Sequence, residues 1–373
     1  MKSVSGCSVA GVASPRSTKV EQPSERPPLI ERLASYTTLR LGGPAAGLMV
    51  ASDEQEIIAA LRTDEPVLLL AGGSNVVVSD DGFPGRVVLL RSRGIAVRCD
   101  GDRVRLRVAA GEPWDQVVQA AVEAGWSGVE SLSGIPGSAG ATPIQNVDAY
   151  GHGVAETIVE VRAYDRTTDR IVSLTPQQCG FGYRTSVFRQ NDRFAVLTVD
   201  FSLPLSPLSS PIRYAELARA LGVQLGARAP LEAVRAAVLS LRTGKGMVLD
   251  ASDPDTYSAG SFFINPVIDP VAYARLRKIA IGANVGEPAA WPGADGRTKV
   301  SAAWLIERAG FPKGYTCPGT GVAISTKHTL ALTNRGTGST SELLALARKI
   351  RDGVAERFGV VLHAEPVLAN CAI

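Results

Sequence analysis

From Leu29 onward, apolar and polar positions fall into recognisable periods. Ser52-x-x-Gln55 reads as a capping box that opens a helix over 53–62. Val67–Leu70 reads as a short apolar strand, and Arg86–Leu90 as a second one beyond the turn Asp80-Asp81-Gly82. This β-α-β succession predicts a small mixed domain. Residues 95–110 predict a hairpin around Asp100-Gly101, followed by a helix over 114–124 that Pro113 opens and Gly125 closes. A second hairpin over 158–174, an apolar strand over 195–201 and helices over 213–221 and 230–242 come next. In the last of these, Leu231, Val234, Val238 and Leu241 share one face. The polar passage MVLDASDPDTYSAG predicts a domain boundary, with helices beyond it near 301–309 and 340–357 and strands near 329–333 and 359–362.

One long stretch has neither the helical nor the strand period. Ser133–Gly151, SGIPGSAGATPIQNVDAYG, carries four glycines and two prolines with small residues between them. Glycine lets the backbone turn and approach a ligand closely. Such a run inside a regular domain points to a main-chain binding surface, with Gln145, Asn146 and Tyr150 supplying polar groups at its end. The alternative is an ordinary surface loop.

The bulk properties narrow the field. With 373 residues, 45% of them hydrophobic, the chain has enough for two or three domains with cores. A net charge of +3 with both signs interspersed marks no nucleic-acid surface. The five scattered cysteines, an odd number without a C-x-x-C pair, and only three histidines argue against a zinc site or a disulfide framework. A reducing cytoplasm is expected. No stretch approaches the ~20 apolar residues that span a bilayer. Val4-Ser5-Gly6-Cys7 imitates a lipoprotein cleavage box, but no apolar signal core precedes it. Residues 1–28, rich in serine and proline, are expected to be a disordered extension.

Four further motifs carry possible chemistry. Ala71–Val76 follows an apolar strand, where glycines let N–H groups converge on a phosphate; it matches neither G-x-G-x-x-G nor Walker A. Phe181–Ser186 sets Arg184 among aromatic and small residues, either as a carboxylate holder or as a surface arginine beside a core aromatic. Ala259–Pro266 places Ser261 between glycine and two phenylalanines; no G-x-S-x-G elbow and no clear His/Asp relay supports a hydrolase nucleophile, while a serine in a dry pocket can donate a proton if something activates it. Glu365 follows an apolar run and, alone, reads as a solvated strand end.

In order, AGGSNVVVSD, SGIPGSAGATPIQNVDAYG, FGYRTSVF, AGSFFINP, AAWLIERAGFPKG, STKHTLALTN and HAEPVL resemble the UDP-N-acetylenolpyruvoylglucosamine reductases, from about Tyr36 to Leu368. The resemblance implies an α+β chain: an FAD-binding fold of the MurB/vanillyl-alcohol-oxidase type in two lobes (29–94 and 95–245), then a C-terminal α+β substrate-binding domain (246–373). It implies bound FAD, with Gly72, Gly73, Ser74, Asn75 and Val76 on one side. Ser133, Gly134, Ile135, Pro136, Gly137, Gly140, Ala141, Gln145, Asn146, Tyr150 and Gly151 stand on the other. It assigns Arg184 to the substrate carboxylate, Ser261 to general acid catalysis and Glu365 to the enol-like intermediate. Tyr214 matches a tyrosine that closes over the nucleotide in the type I subclass; Lys245 and Asn265 match contacts to the substrate diphosphate.

The implied reaction uses NADPH as electron donor and reduces UDP-N-acetylglucosamine enolpyruvate, a small-molecule substrate, with no nucleic acid, no membrane and a monomeric enzyme expected. Two positions depart from the family. Asp148 stands where glycine is common; a positive φ there would strain it, and its carboxylate would oppose a reduced flavin or a phosphate, so weaker FAD binding is expected. Ala303 stands where glycine often precedes the tryptophan. Two alternatives stay open: a flavin oxidase of the same cofactor fold, though Gly72–Asn75 has no His or Cys to tether a flavin, and a catalytically weak paralogue that only binds flavin or UDP-sugars.

Overall fold

A computed structural model describes residues 31–373; the expected extension over 1–28, with Cys7, lies outside the described residues. Three parallel strands form the first sheet, with Phe83–Leu90 between Ala45–Ala51 and Val67–Leu70. A central parallel strand is covered on both faces, which is why Val87–Leu90 reads as an unbroken apolar run rather than an alternation. The helix Glu54–Leu61 packs on this sheet through Ile57, Ala60 and Leu61. Its cap differs from the expected box by one residue: Asp53 accepts from the Glu56 N–H at 2.8 Å, and Glu56 reaches back to the Ser52 N–H at 2.7 Å. A carboxylate one position closer to the first turn displaces the serine as cap.

The second lobe is a five-stranded antiparallel sheet in the order Arg170–Leu174, Ile158–Asp165, Phe194–Pro204, Arg103–Ala109, Ile95–Asp100. Both expected hairpins are present. In Arg103–Ala109 the period-two alternation sorts Val104, Leu106 and Val108 into the core and Arg105 and Arg107 onto the other face. There both arginines pair with the buried Asp200 carboxylate, at 2.9 and 2.8 Å. The helix Trp114–Glu123 buries Trp114, Val117, Val118 and Ala121 beneath this sheet. The helix Leu231–Gly244 presents Leu231, Val234 and Val238 inward, as its periodicity requires.

The C-terminal region has its own core around Phe262, Phe263, Leu305, Ile306 and the helix Thr340–Phe358. Its three-stranded sheet sets Ala331–Asn334 between Ser258–Ser261 and Val322–Ile324. Two features cross the expected boundary at residue 246. Leu39, Leu41 and Val77 belong to this same core, and the strand Val367–Ala369 pairs in parallel with Val76–Val78. The strand expected near 359–362 does not form. Val360 and Leu362 are buried in the core, but their segment has no strand beside it; Ala364 forms an isolated bridge with Phe263, and the next strand begins at Val367. The closing strand thus runs directly beside the glycine turn at 72–75.

Candidate active site

Two cavities meet where the two glycine-rich segments touch. One, of about 310 Å³, is lined by Leu68–Val76, Ile135–Ser138, Ala141, Gln145, Asp148, Arg184, Arg242, Ser261 and Glu365, among others. The other, of about 650 Å³, includes Thr38, Arg40, Arg91 and Arg93. Ala71, Gly72, Gly137 and Ser138 line both. At this junction the backbones come so close that a Cβ on Gly72 would stand 3.0 Å from Gly137 Cα. Gly137 has φ +115°, and a Cβ there would meet Ser74 Oγ at 2.8 Å. Only glycine permits both the conformation and the approach.

Three chains of contact bring Arg184, Ser261 and Glu365 to one wall. Arg184 is the third residue of the tight turn Gly182–Thr185 and has φ +51°, a conformation glycine favours and most residues avoid. Asn146 secures that turn by donating from Nδ2 to the Gly182 carbonyl at 3.0 Å. Ser261 ends the strand Ser258–Ser261, whose pairing with Ala331–Asn334 is broken by a bulge between Ser258 and Ser261. A bulge re-aims the side chain that follows it. Glu365 is held by its backbone: its N–H donates to the Phe262 carbonyl at 2.9 Å, and its carbonyl accepts from Gln145 Nε2 at 2.9 Å.

The charges are unevenly matched. Arg184 Nε lies 2.8 Å from Glu365 Oε1, while Arg184 Nη1 pairs with Asp148 Oδ1. One guanidinium therefore faces two carboxylates. Burial, reinforced by the Asp148 charge, pushes the Glu365 carboxyl above its ordinary range, against the opposing pull of Arg184. The same two carboxylates hold the Arg184 guanidinium firmly protonated despite its burial.

The strain expected at Asp148 is absent. Positive φ falls instead at Asn146, Tyr150 and Gly151, and Asp148 lies in the short ladder Asp148–Ala149 with His152–Gly153. Tyr150 and Gly151 form its two-residue turn, both with positive φ, the type I′ geometry that matches strand twist. The Asp148 carboxylate pairs with Arg184.

Of the residues expected around a cofactor, Gly72–Val76, Ile135, Pro136, Gly137, Ala141 and Gln145 line the smaller cavity. The others support it from behind. Ser133 is fully buried and donates to the Glu130 carbonyl at 2.7 Å, and the Gly134 N–H donates to Asp115 at 2.6 Å. The Gly140 N–H donates to the Ala110 carbonyl at 2.9 Å. Asn146 braces the arginine turn, and Gly151 abuts Arg213. Tyr150 packs edge-on against Tyr214 at 5.5 Å, its phenol pushed up to about 12 by burial.

The three expected substrate contacts stand outside that cavity's lining. Tyr214 precedes the helix Ala215–Leu221 and is exposed, Lys245 Nζ pairs with Glu216 at 2.5 Å, and Asn265 Oδ1 accepts from the Ala302 N–H at 2.9 Å.

Two residues the sequence reading missed line the site. Among the described residues Ser138 Oγ, in a residue at the cavity junction, is buried without a hydrogen-bond partner, and so is Nε of Arg242, a residue on the wall of the smaller cavity. Arg242 Nη2 donates to the Met247 carbonyl at 2.9 Å, yet among the described residues no carboxylate pairs with the guanidinium, and burial lowers its pKa. Both orphaned donors, together with the apposed glycine backbones, fit an elongated group that carries acceptor oxygens, as FAD does. Among the described residues lining the cavity there is no His or Cys, and no cluster suited to a metal ion occurs.

Comparisons with known proteins match both halves of the chain. The family model for an FAD binding domain matches residues 45–175, and that for the UDP-N-acetylenolpyruvoylglucosamine reductase C-terminal domain matches 253–369. A UDP-N-acetylenolpyruvoylglucosamine reductase of Salinispora arenicola is 59% identical over 347 residues, covering 91% of this chain and 95% of its own. One from Thermobifida fusca is 56% identical, with 91% and 97% covered. The crystal structure of the reductase from Thermus caldophilus superposes with a TM-score of 0.61 at 26% identity, over 91% of this chain and 98% of that one. Identity above one half along nine-tenths of the sequence places this chain in the UDP-N-acetylenolpyruvoylglucosamine reductase family of FAD-dependent oxidoreductases.

Proposed function

We propose that the enzyme reduces UDP-N-acetylglucosamine enolpyruvate to UDP-N-acetylmuramate with NADPH, a step of peptidoglycan precursor synthesis in the cytoplasm. The observation that carries this reading is the meeting of Arg184, Ser261 and Glu365 on one wall of the cavity that the two glycine segments enclose. When bound, FAD supplies the hydride, drawn from NADPH.

The residues divide the remaining work. Arg184 binds the substrate carboxylate through parallel N–H donors, which a guanidinium offers in a fixed plane. Hydride arriving at C3 of the enolpyruvyl group leaves negative charge on C2 and the carboxylate. Arg184 is already oriented toward that charge by its strained turn, so little reorganisation is needed as it develops. Glu365, whose protonated form burial favours, shares a proton with the enolate oxygen where a bare carboxylate would repel it. Ser261 delivers the proton to C2. Gly72–Val76, the 133–151 segment and Ser138 hold the cofactor, and the unpaired charge of Arg242 favours its reduced, more anionic form. Tyr214, Lys245 and Asn265 contact the nucleotide end of the substrate; Lys245 exchanges its Glu216 partner for a phosphate oxygen.

The test is product analysis. Purified enzyme given NADPH and the enolpyruvyl sugar forms a product heavier by two hydrogens, with one NADPH consumed per product. NADPH consumption that does not depend on the sugar would refute the reading.

A further inference from the structure

We propose that Asp148 is a displaceable counter-ion that determines specificity: it occupies Arg184 before substrate arrives, and the substrate carboxylate must evict it. This rests on the role given to Arg184 under Proposed function.

The geometry leaves the arginine no open pair of donors. A carboxylate engages a guanidinium through two neighbouring nitrogens, either Nε with Nη2 or Nη1 with Nη2. Glu365 Oε1 crowds Nε at 2.8 Å and Asp148 holds Nη1, so each pair has a carboxyl group against it. A third carboxylate added to this set would find no neighbouring pair of nitrogens free of a carboxyl group already there. One of the two residents has to leave.

Exposure and anchoring decide which. The Asp148 side chain is 42% exposed, against 16% for Glu365. Released into solvent, an Asp148 carboxylate regains hydration at little cost; a Glu365 carboxylate has no such outlet. The Glu365 main chain is also fixed by hydrogen bonds to Phe262 and Gln145. Asp148 therefore departs, opening the Nη1/Nη2 pair to the ligand. Until then, it keeps Arg184 extended into the cavity.

Eviction weakens substrate binding by the strength of the pair it breaks. For a half-exposed ion pair this is about 1 kcal/mol, or roughly fivefold in affinity. The penalty applies only to ligands that carry a carboxylate for Arg184.

The experiment compares two ligands on the oxidised holoenzyme, followed by perturbation of flavin absorbance: UDP-N-acetylglucosamine enolpyruvate and UDP-N-acetylglucosamine, which lacks the carboxylate. In Asp148→Asn, and in Asp148→Ala as a second variant, the enolpyruvyl sugar binds roughly fivefold more tightly. Its KM falls while kcat does not rise, and UDP-N-acetylglucosamine binds as in wild type. Unchanged or weaker binding of the enolpyruvyl sugar in both variants would overturn the proposal. So would equal tightening of both ligands, since Asp148 would then act on the diphosphate. An Arg184→Ala control separates the two levels. If it weakens only the enolpyruvyl sugar while the Asp148 variants do nothing, the role of Asp148 alone fails. If it leaves both affinities unchanged, the Arg184 assignment fails and takes this proposal with it.

Discussion

Gln145 Nε2 donates to the Glu365 main-chain carbonyl at 2.9 Å, across 220 positions of sequence. This bond ties the long glycine-rich segment of the second lobe to the C-terminal carboxylate, at the point where the closing strand returns to Val76–Val78. The cavity wall thus combines groups from three regions of the chain, and its geometry depends on all three folding together.

Ser261→Ala separates the two half-reactions. Flavin bleaching by NADPH proceeds at the wild-type rate, because no proton to C2 is needed there. Reoxidation by the enolpyruvyl sugar slows by about 10²–10⁴-fold, the usual worth of a positioned acid. Anaerobic rapid mixing measures both; equal losses in the two phases would remove Ser261 from the proton's path.

The pH dependence follows from Glu365. Its carboxyl lies above the ordinary range, so the protonated form persists to higher pH than for a free glutamate and is lost as pH climbs through the raised value. Reoxidation by substrate is therefore fast on the acid side and declines toward the alkaline side. The charged groups acting on Glu365 are Arg184, Asp148 and Arg189. Since Asp148 raises the value, Asp148→Asn moves the decline to lower pH. A limb that stays in place would mean that another group titrates.

Arg242→Met tests the buried charge. Removing an unpaired cation from the cavity wall makes the bound flavin harder to reduce, shifting its midpoint potential negative by about 30 mV or more, equivalent to about 1.4 kcal/mol for a two-electron couple. Spectroelectrochemistry reads this directly. An unchanged potential would place Arg242 away from the flavin.

Gly137→Ala probes the junction of the cavities. The added methyl meets Ser74 Oγ at 2.8 Å in a backbone conformation that alanine resists. FAD is lost on gel filtration, while the far-ultraviolet circular dichroism of the folded protein persists. Full retention of the yellow cofactor would show that this contact is dispensable.

Much of the fold was legible from local signals. Hairpins around 100–103 and 165–170, and the stripe of Leu231, Val234 and Val238, follow from backbone periods that tertiary context did not override. The strand expected at 359–362 failed because burial of alternate residues does not guarantee a neighbouring strand. At the site, the glycine segments were conspicuous because the backbone itself forms the surface. The Arg184–Asp148 pair was not, since ion pairs between loops leave no mark on sequence spacing. Arg242 did leave one: it follows Val234 and Val238 at four-residue intervals, a charge continuing an apolar stripe, and so signals a buried cation.

The central claim is most directly tested by the colour of the holoenzyme under anaerobic conditions. NADPH should bleach the flavin, and one equivalent of UDP-N-acetylglucosamine enolpyruvate should then restore its absorbance with no oxygen present. If the bleached enzyme recovers only when oxygen is admitted, the chain is not acting as an enolpyruvyl reductase.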